Sequence, residues 1–367
     1  MDRDDQDYTP RGPIPMYQPV PASSQAPGLS QALAWLVGIL FLTVSVLLFF
    51  LGRTPAWHGL VNNIAINFLA IMVEALPFML IGALAGGLIE VFVPVAWIEK
   101  MFHRHRTRSV LLAGTMGLFF PVCECAIIPV VRRLLGKGIP LAAALTFLLA
   151  GPIVNVIVAF STAVAYNYDW VVVAVRLGSG YCIAVCIGLL LGRWFNRDNG
   201  ILPEWRNSGA ASCGHQSCAH DRNNSGALAD RVRHALGHAC DDFFSVGFYL
   251  VIGAFIAALV RSITPMDIFS HLLANPEQAI VLMMIMAMLL NLCSEADAFI
   301  AASFRGVLPG SAQMAFMVLG PMLDVKLLLM YFSVFRKRLI IALSLSVFIV
   351  VLLWMIGLQT FFPALLL

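Results

Sequence analysis

Charged side chains are scarce in this chain of 367 residues: Asp, Glu, Lys and Arg make up 12% of it, whereas 60% is hydrophobic. A soluble globular protein carries about 25% charged residues. The eight cysteines stand at irregular spacings and do not form the framework of a disulfide-rich secreted domain. A phosphate-binding loop is also missing from the sequence. These shortages exclude a soluble enzyme, a disordered protein and an ordinary nucleic-acid binder.

Long apolar runs fill most of the remaining sequence and predict an all-α polytopic membrane protein. About 20 apolar residues in a helix cross the hydrocarbon core of a bilayer. Runs of about that length or more lie near residues 33–51, 64–93, 109–131, 139–166, 170–192, 243–260, 279–304, 311–333 and 338–358. The residues before the first run are rich in Asp and Pro, which predicts a disordered tail and not a secretory signal.

An internal repeat relates two parts of the chain. Met72–Pro94 aligns without a gap onto Phe243–Pro265. Two further blocks match in the same order: Cys123 with Cys293, and Gly151–Val156 with Gly320–Val325. Any two membrane helices share Leu, Ala and Val, but a cysteine and a Gly-Pro-x-x-[Asn/Asp]-Val block rarely recur together by chance. We therefore predict two related membrane repeats.

The distribution of Lys and Arg predicts the topology. Suppose that the runs 109–131 and 279–304, which carry polar residues halfway along, enter the membrane and return to the same face. Of the 23 Lys and Arg, 18 then fall on one side, three on the other and two within spans. Because cytoplasmic loops concentrate these residues, we expect about seven full spans plus two re-entrant segments, arranged as two inverted-topology repeats. Nine full spans with broken helices are the alternative.

This topology divides the chain into seven parts within and around the lipid bilayer. They are a disordered, cytoplasmic N-terminal tail (1–30), a first transmembrane helix with its loop (31–63), membrane repeat 1 (64–166), a linking transmembrane helix (167–192), a cytoplasmic Cys/His loop (193–242), membrane repeat 2 (243–335) and a last transmembrane helix (336–367).

Helix-breaking residues interrupt the apolar runs at corresponding places in both repeats. The predicted breaks are at Pro121, Gly151, Pro152, Gly320 and Pro321. Non-helical backbone at membrane depth is tolerated only where it is covered by protein or lines an aqueous cavity. The breaks therefore predict a central solute site between the repeats.

Thiols and polar side chains lie at or beside these breaks. The candidate solute-binding residues are Cys123, Glu124, Cys125, Asn155, Cys293, Glu295, Asp297 and Asp324. Acids within a membrane often handle ions or protons, and sulfur with carboxylate suits Zn(II), Cu(I) or trivalent arsenic. Packing of the thiols and internal pairing of the charges are the structural alternatives. The expected pairs are Lys326 with Asp324 or Glu295, and Arg176 with Glu74.

A second candidate metal site lies in the polar loop 193–242. Cys213, His215, Cys218 and His220 stand within eight residues and could together bind a transition metal ion. The spacing matches no standard zinc knuckle, and the Gly, Ser and Asn around it are equally typical of a flexible linker. The sequence predicts no certain cofactor: a transition metal ion would be a substrate or a ligand of this loop.

Four short motifs resemble a known family, the predicted permeases that include the ArsP-type organoarsenical efflux permeases. Two motifs carry the family resemblance, Pro121–Pro129 and Gly151–Asn155, and two resemble a bacterial subgroup, Cys293–Phe299 and Gly320–Lys326. The resemblance implies a permease of the bacterial cytoplasmic (inner) membrane. It also implies thiol-reactive arsenicals as substrates of some members and divalent metal ions for others. Glu124, Glu295 and Asp297 depart from the cysteine pattern of the arsenical members, which favours a metal cation.

Together these observations predict a secondary permease for a small thiophilic solute, either a metal cation or a metalloid, and not an enzyme. Because no nucleotide-binding loop is present, we expect a gradient to drive transport. A membrane thiol-disulfide oxidoreductase that uses Cys123 and Cys125 is the alternative, and an uncoupled channel or scaffold is a third. A homo-oligomer and an accessory membrane subunit are both compatible with the sequence.

Overall fold

The computed structural model describes Thr43 and residues 58–94, 102, 106–119, 123–202, 228–263 and 276–361. Contacts divide the chain into two units, residues 1–51 and 52–367. Thr43, which is helical, is the described residue of the first unit, and the account below concerns the second. Regular structure in the described ranges is helical, apart from one isolated β-bridge between Ile201 and Phe335.

The described residues form thirteen helices. They are α1 (His58–Phe92), α2 (Arg106–Phe119), α3 (Glu124–Gly136), α4 (Leu141–Ala150), α5 (Val156–Ala165), α6 (Trp170–Trp194), α7 (Arg197–Gly200), α8 (Leu228–Ile263), α9 (Pro276–Leu290), α10 (Ser294–Ser303), α11 (Gly310–Leu319), α12 (Val325–Tyr331) and α13 (Lys337–Phe361).

Four of these helices are long and apolar enough to cross a membrane. They contain the segments Gly59–Ile89, Trp170–Trp194, Ala235–Ile263 and Lys337–Phe361. Much of their surface is formed by exposed large apolar side chains, which a bilayer solvates and water does not. The protein is therefore a helical, polytopic membrane protein. The predicted first transmembrane helix lies outside the described residues except for Thr43.

The other four apolar runs are not continuous helices. Each consists of two shorter helices: α2 with α3, α4 with α5, α9 with α10, and α11 with α12. Gly151 and Pro152 lie between α4 and α5, and Gly320 and Pro321 lie between α11 and α12. Pro121, the fifth predicted break residue, lies outside the described residues.

Basic side chains tie several helices together at one end of the unit, which we call the Lys137 end. The hydrogen bonds there run from Lys137 Nζ to the Val93 carbonyl (2.5 Å), from Arg197 to the Leu135 carbonyl and from Arg336 Nε to the Ile201 carbonyl (3.1 Å). They join the C-terminal ends of α1 and α3 to the segments that follow α6 and precede α13. Val93 and Leu135 lie at the C-terminal ends of helices, where the helix dipole favours basic side chains.

A buried carboxylate fastens α3 to α8 near this end. Asp242 of α8, with 1% of its side chain exposed, forms ion pairs with Arg132 Nη1 (3.3 Å) and Arg133 Nε (2.5 Å). Arg133 Nη2 also donates to the His238 carbonyl at 3.1 Å. Two cations around one buried acid hold these helices together more firmly than a surface ion pair does.

The opposite end of the unit, which we call the Arg305 end, has a more open ion pair. Arg305 Nη2 lies 3.7 Å from Asp169 Oδ2, with 46% and 36% of the two side chains exposed. The Arg305 guanidinium also lies over the ring of Tyr166, 5.7 Å from its centroid. Ser311 Oγ donates to Gln359 Oε1 at 3.0 Å. These contacts bring the end of α13 and the starts of α6 and α11 to this end.

The α2–α3 segment begins and ends at the same end of the unit. Arg106, the first residue of α2, donates from Nη2 to the Leu189 carbonyl near the end of α6 (3.4 Å), and Lys137 follows α3. The α4–α5 segment instead runs from Leu141, which packs beside Gly200 at the Lys137 end, to Tyr166 at the Arg305 end.

Helices α1 and α8 run antiparallel and approach closely. Asn67 Nδ2 donates to Ser262 Oγ at 3.1 Å, and 20 residues further along α1 Gly87 lies against the backbone of Ala235. Gly82, also in α1, lies against the backbone of Ala126 in α3. A side chain at Gly82 would displace α3, so this glycine sets the distance between α1 and the start of α3.

Gly82→Ala is expected to destabilise the protein by about 1–3 kcal/mol, since a methyl group there has no space. Gly178→Ala in α6 is the matched control because no described atom of another helix lies within 4 Å of its added Cβ. Alanine has the higher helix propensity, so this control should be neutral or more stable by up to about 1 kcal/mol. Thermal unfolding in detergent measures both changes, and equal shifts for the two variants would contradict the packing described here.

Candidate functional site

Two helix starts carry thiols in the same geometry. Cys123 is the N-cap of α3 (φ −76°, ψ 170°) and Cys293 is the N-cap of α10 (φ −78°, ψ 157°). Neither thiol caps its own helix by a hydrogen bond. The extended backbone ends a break, and the helix that follows directs its free N–H groups toward the break. Both thiols therefore lie where a helix start presents a partial positive charge.

Asn155 and Asp324 occupy matching positions at the starts of α5 and α12. Asn155 Oδ1 accepts from the Val158 N–H at 2.8 Å, and Asp324 Oδ1 accepts from the Leu327 N–H at 2.5 Å. Both side chains are buried N-caps. Each side chain thus has a structural task at its break.

Lys326 contacts one acid from each half of the chain. Its Nζ donates to Glu124 Oε1 at 3.2 Å and lies 3.7 Å from Asp324 Oδ2. At most 4% of any of these three side chains is exposed. The ammonium group therefore neutralises part of the charge that Glu124 and Asp324 carry into the interior.

Asn291 completes the coordination of Asp324. In the orientation that satisfies both groups, its side-chain amide donates to the two carboxylate oxygens at 3.0 and 2.6 Å. Asn291 lies in the break between α9 and α10 with φ at +52°, a left-handed conformation that asparagine tolerates better than most residues. Asp324 is therefore fixed by a cation, an amide and a backbone N–H.

Arg176 forms the centre of a second buried cluster. Its Nη1 donates to Thr162 Oγ1 at 2.7 Å, and its Nη2 donates to the carbonyls of Ser294 (2.6 Å) and Met317 (3.3 Å). The Arg176 side chain is fully buried. These three bonds connect α5, α10 and α11 through one guanidinium of α6.

Asp297 provides the negative charge near Arg176. It is 1% exposed and lies within electrostatic range of that guanidinium. Its carboxylate occupies the space above Gly320: a Cβ on this glycine would lie 2.6 Å from Asp297 Oδ2. The glycine of the second Gly-Pro pair thus provides room for a buried acid as well as a helix break.

The thiols lie beside these charges. Cys123 and Cys125 are neighbours, and the Lys326 ammonium and the Glu124 carboxylate are within electrostatic range of Cys125. Cys293 is half-buried and neighbours the carboxylate of Glu74. The described residues contain no group of three His, Cys, Asp or Glu side chains arranged to hold a metal ion.

Comparison with known proteins assigns the family. The model of the ArsP_1 family, described as a predicted permease, matches residues 60–358. The chain belongs to this permease family. The match includes both breaks that carry the thiols and both buried clusters.

Two curated relatives resemble the permease over most of their lengths. The chain is 39% identical over 285 residues to UPF0718 protein YcgR of Bacillus subtilis. This alignment covers 78% of the chain and 93% of the relative. The chain is 37% identical over 274 residues to a Streptococcus mutans protein named as a candidate subunit of a two-component membrane permease complex. This alignment covers 75% of the chain and 87% of the relative. No solved structure matches the permease.

Most of the residues predicted for the site lie in or beside the two clusters of the permease. Glu124 and Asp324 lie in the Lys326 cluster, and Asp297 lies in the Arg176 cluster. Glu295 is half-buried, and its Oε2 accepts from Ser294 Oγ at 3.4 Å. The predicted metal ligands of the polar loop, Cys213, His215, Cys218 and His220, lie outside the described residues.

One of the expected charge pairs is confirmed and the other is wrong. Lys326 pairs with Asp324, as expected, but its second acid is Glu124 and not Glu295. Arg176 does not pair with Glu74, whose side chain is exposed on α1, because the guanidinium points toward α10 and α11. Glu124 and Arg176 lie in the first half of the chain, whereas Lys326 and the two carbonyls that accept from Arg176 lie in the second half.

The neutral partners of the charged side chains were difficult to predict from the sequence. Thr162 donates its hydroxyl to the Val158 carbonyl (2.6 Å), which leaves its oxygen free to accept from Arg176. It is one of many small polar residues in an apolar run, so composition did not single it out. Asn291 was more visible, because an amide between leucines at membrane depth is unusual.

Within the two clusters, two buried acid oxygens have no hydrogen-bond partner among the described residues. They are Glu124 Oε2 and Asp297 Oδ2. A buried carboxylate oxygen without a partner is costly unless it is protonated or binds a cation. The site of the permease therefore combines three thiols with acids that still have capacity for a proton or an ion.

Proposed function

We propose that the protein is a secondary permease of the bacterial cytoplasmic membrane that moves a small thiophilic solute, a metalloid or soft metal cation, down or against a gradient. The observation that carries this proposal is the position of Cys123 and Cys293 at two matching helix starts beside buried charges. Thiols are the protein ligands that trivalent arsenic, Cu(I) and zinc-like ions share.

Two inverted-topology repeats form the proposed architecture. The helices α1–α6 and α8–α13 follow the same order, with 10 residues in both α4 and α11 and 25 in both α6 and α13. Both termini of the α2–α3 segment lie at the Lys137 end, which supports a re-entrant path for residues 109–131. By analogy we propose the same for 279–304, which gives seven full spans.

The Lys137 end is the proposed cytoplasmic side. It gathers Arg132, Arg133, Lys137, Arg197 and Arg336, whereas Arg305 is the basic residue tied at the other end. An excess of Lys and Arg marks the cytoplasmic side of membrane proteins. With the span 33–51 counted, this orientation gives a cytoplasmic N-terminus.

The thiols are the proposed solute ligands, and the acids are the proposed sites of coupling. Lys326 and Arg176 already engage the acids, so these carboxylates are less available to bind a cation directly. This arrangement favours capture of the solute by sulfur over a carboxylate-bound divalent ion. The partnerless oxygens of Glu124 and Asp297 then offer places for a coupled proton.

A thiol-disulfide oxidoreductase is the second candidate function, and the closeness of the Cys123 and Cys125 thiols favours it. Such an enzyme would form a mixed disulfide between one of these cysteines and a substrate thiol. Trapping that species with a Cys125→Ser variant would replace the permease proposal, since transport requires no covalent exchange.

An accessory membrane subunit is a proposed partner. The Streptococcus mutans relative is named as a candidate subunit of a two-component complex, and it matches 75% of this chain. Co-purification of a second membrane protein from the native host, set against a homo-oligomer of this chain alone, would distinguish the two arrangements.

Elemental analysis of cells tests the proposed function. Cells that express the wild type, Cys293→Ala or Cys182→Ala are exposed to zinc, cadmium, copper, arsenite or a methylated trivalent arsenical. We expect the content of one element to change in cells that express the wild type or Cys182→Ala, but not in cells that express Cys293→Ala. Cys182→Ala is the control because Cys182 is exposed on α6. The sign of the change gives the direction of transport. Equal contents in all strains, at equal protein levels, would contradict the proposal.

A further inference from the structure

A cavity of about 350 Å³ opens at the Arg305 end of the protein. Its lining includes Tyr166, Asp169, Arg305, Gln313 and Met314. Pockets for small molecules start at about 300 Å³, and this volume also holds an ion together with its shell of water, at about 30 Å³ per water molecule. The cavity is therefore large enough for a hydrated ion or a small organic solute.

The floor of this cavity is a buried hydrogen bond. Tyr166 Oη donates to Gln313 Oε1 at 2.8 Å, and Gln313 Nε2 donates to the Leu308 carbonyl at 2.9 Å. Tyr166 and Gln313 are 4% and 5% exposed. This bond connects the end of α5 to α11 across the base of the cavity, so it fixes how closely the two helices meet there.

Beyond this floor lies the Arg176 cluster. Tyr166 is one helical turn after Thr162 in the chain, and Met317 is one turn after Gln313. Thr162 and Met317 are two of the three groups to which Arg176 donates. Because one turn advances 5.4 Å, the cavity floor and the buried guanidinium are about one turn apart on both α5 and α11.

The thiol at the start of α10 adjoins the same cluster. Arg176 donates to the carbonyl of Ser294, the residue after Cys293, and lies within electrostatic range of Cys293 and Glu295. The order of groups from the Arg305 end inward is therefore the cavity, the Tyr166–Gln313 bond, Arg176, and then Cys293 with Asp297. A continuous line of polar groups connects the cavity to the candidate site.

We propose that this cavity is the vestibule through which solute passes between the Arg305 side of the membrane and Cys293, and that the Tyr166–Gln313 hydrogen bond is its inner barrier. The proposal rests on the proposed permease function and adds the path and the gate. Arg305, which lies over Tyr166 and pairs with Asp169, holds Tyr166 in the closed position. The solute it admits is a hydrated ion or a small organic species.

Chemical modification of Cys293 tests the vestibule without knowledge of the solute. Vesicles with either the Arg305 side or the Lys137 side outward are treated with a charged, membrane-impermeant methanethiosulfonate reagent. Peptide mass spectrometry then gives the rate of modification at Cys293 in the full chain. Tyr166→Phe and Gln313→Leu remove the barrier bond. Tyr181→Phe is the matched control, because its hydroxyl bonds to the Leu111 carbonyl (3.2 Å) away from the cavity.

When the Arg305 side faces outward, we expect both barrier variants to increase the rate of Cys293 modification about fivefold. The loss of one hydrogen bond shifts an opening equilibrium by about this factor. The rate should be unchanged in Tyr181→Phe and when the Lys137 side faces outward. Equal rates from the two sides, or barrier variants that match the wild type, would overturn the vestibule. Because this readout requires no transported solute, its failure overturns the vestibule alone, whereas failure of the elemental analysis overturns the permease function.

Discussion

Replacing Lys326 with methionine is expected to lower the free energy of unfolding by about 3–5 kcal/mol and to abolish transport. The change leaves Glu124 and Asp324 buried without the ammonium that lies 3.2 and 3.7 Å from them. Two adjacent buried acids then repel each other, and one of them must take up a proton. Thermal unfolding in detergent and the elemental content of expressing cells measure the two effects.

Lys337→Met is the matched control, because Lys337 is exposed at the start of α13 and its replacement should change stability by less than about 0.5 kcal/mol. The double variant Lys326→Met with Glu124→Gln removes one of the uncompensated charges and should recover part of the stability. A Lys326→Met protein as stable and active as the wild type would show that the ammonium does not compensate these acids.

Arg176→Lys is expected to destabilise the permease by on the order of 3 kcal/mol, although the charge is retained. A lysine ammonium is a point charge, whereas the guanidinium reaches Thr162, Ser294 and Met317 at once from two nitrogens. The loss separates α5, α10 and α11 at the candidate site, so transport should fall by at least tenfold, the factor that corresponds to about 1.4 kcal/mol.

The control for this change is Arg193→Lys in the same helix, where the arginine is exposed and the effect should be small. Thr162→Val removes one of the three acceptors and should produce an intermediate loss. If Arg176→Lys unfolds at the wild-type temperature, the three hydrogen bonds do not hold the broken helices, and the guanidinium has a different task.

The helical membrane class of this protein follows from the sequence, but the form of its helices does not follow from hydropathy. A hydropathy window measures the length of an apolar run and is insensitive to a break within it. Thus the run 139–166 looks like one long span, whereas Leu141–Ala150 and Val156–Ala165 are separate helices. The Gly-Pro pairs were the signals that located these breaks, because proline cannot continue a helical hydrogen-bond pattern.

The sequence does not show which charged residues pair with each other in the candidate site. The sequence placed Glu124, Asp324 and Lys326 at membrane depth, and their burial cost required partners. Lys326 and Glu124 are 202 residues apart, and their pairing depends on how α3 and α12 pack together. The expected Arg176–Glu74 pair failed for the same reason, since no local spacing indicates which helix a buried arginine faces.

The two ends of the permease differ in their ion pairs, and we expect this difference to bias which end parts more readily. The pairs of Asp242 with Arg132 and Arg133 are buried, whereas the Arg305–Asp169 pair is exposed and is worth at most about 1 kcal/mol. In a permease that alternates between conformers parted at one end or the other, conformers parted at the Lys137 end are expected to be the rarer ones at rest. A solute that arrives from that side would then meet few competent molecules, and its apparent affinity would be lowered by the same fraction.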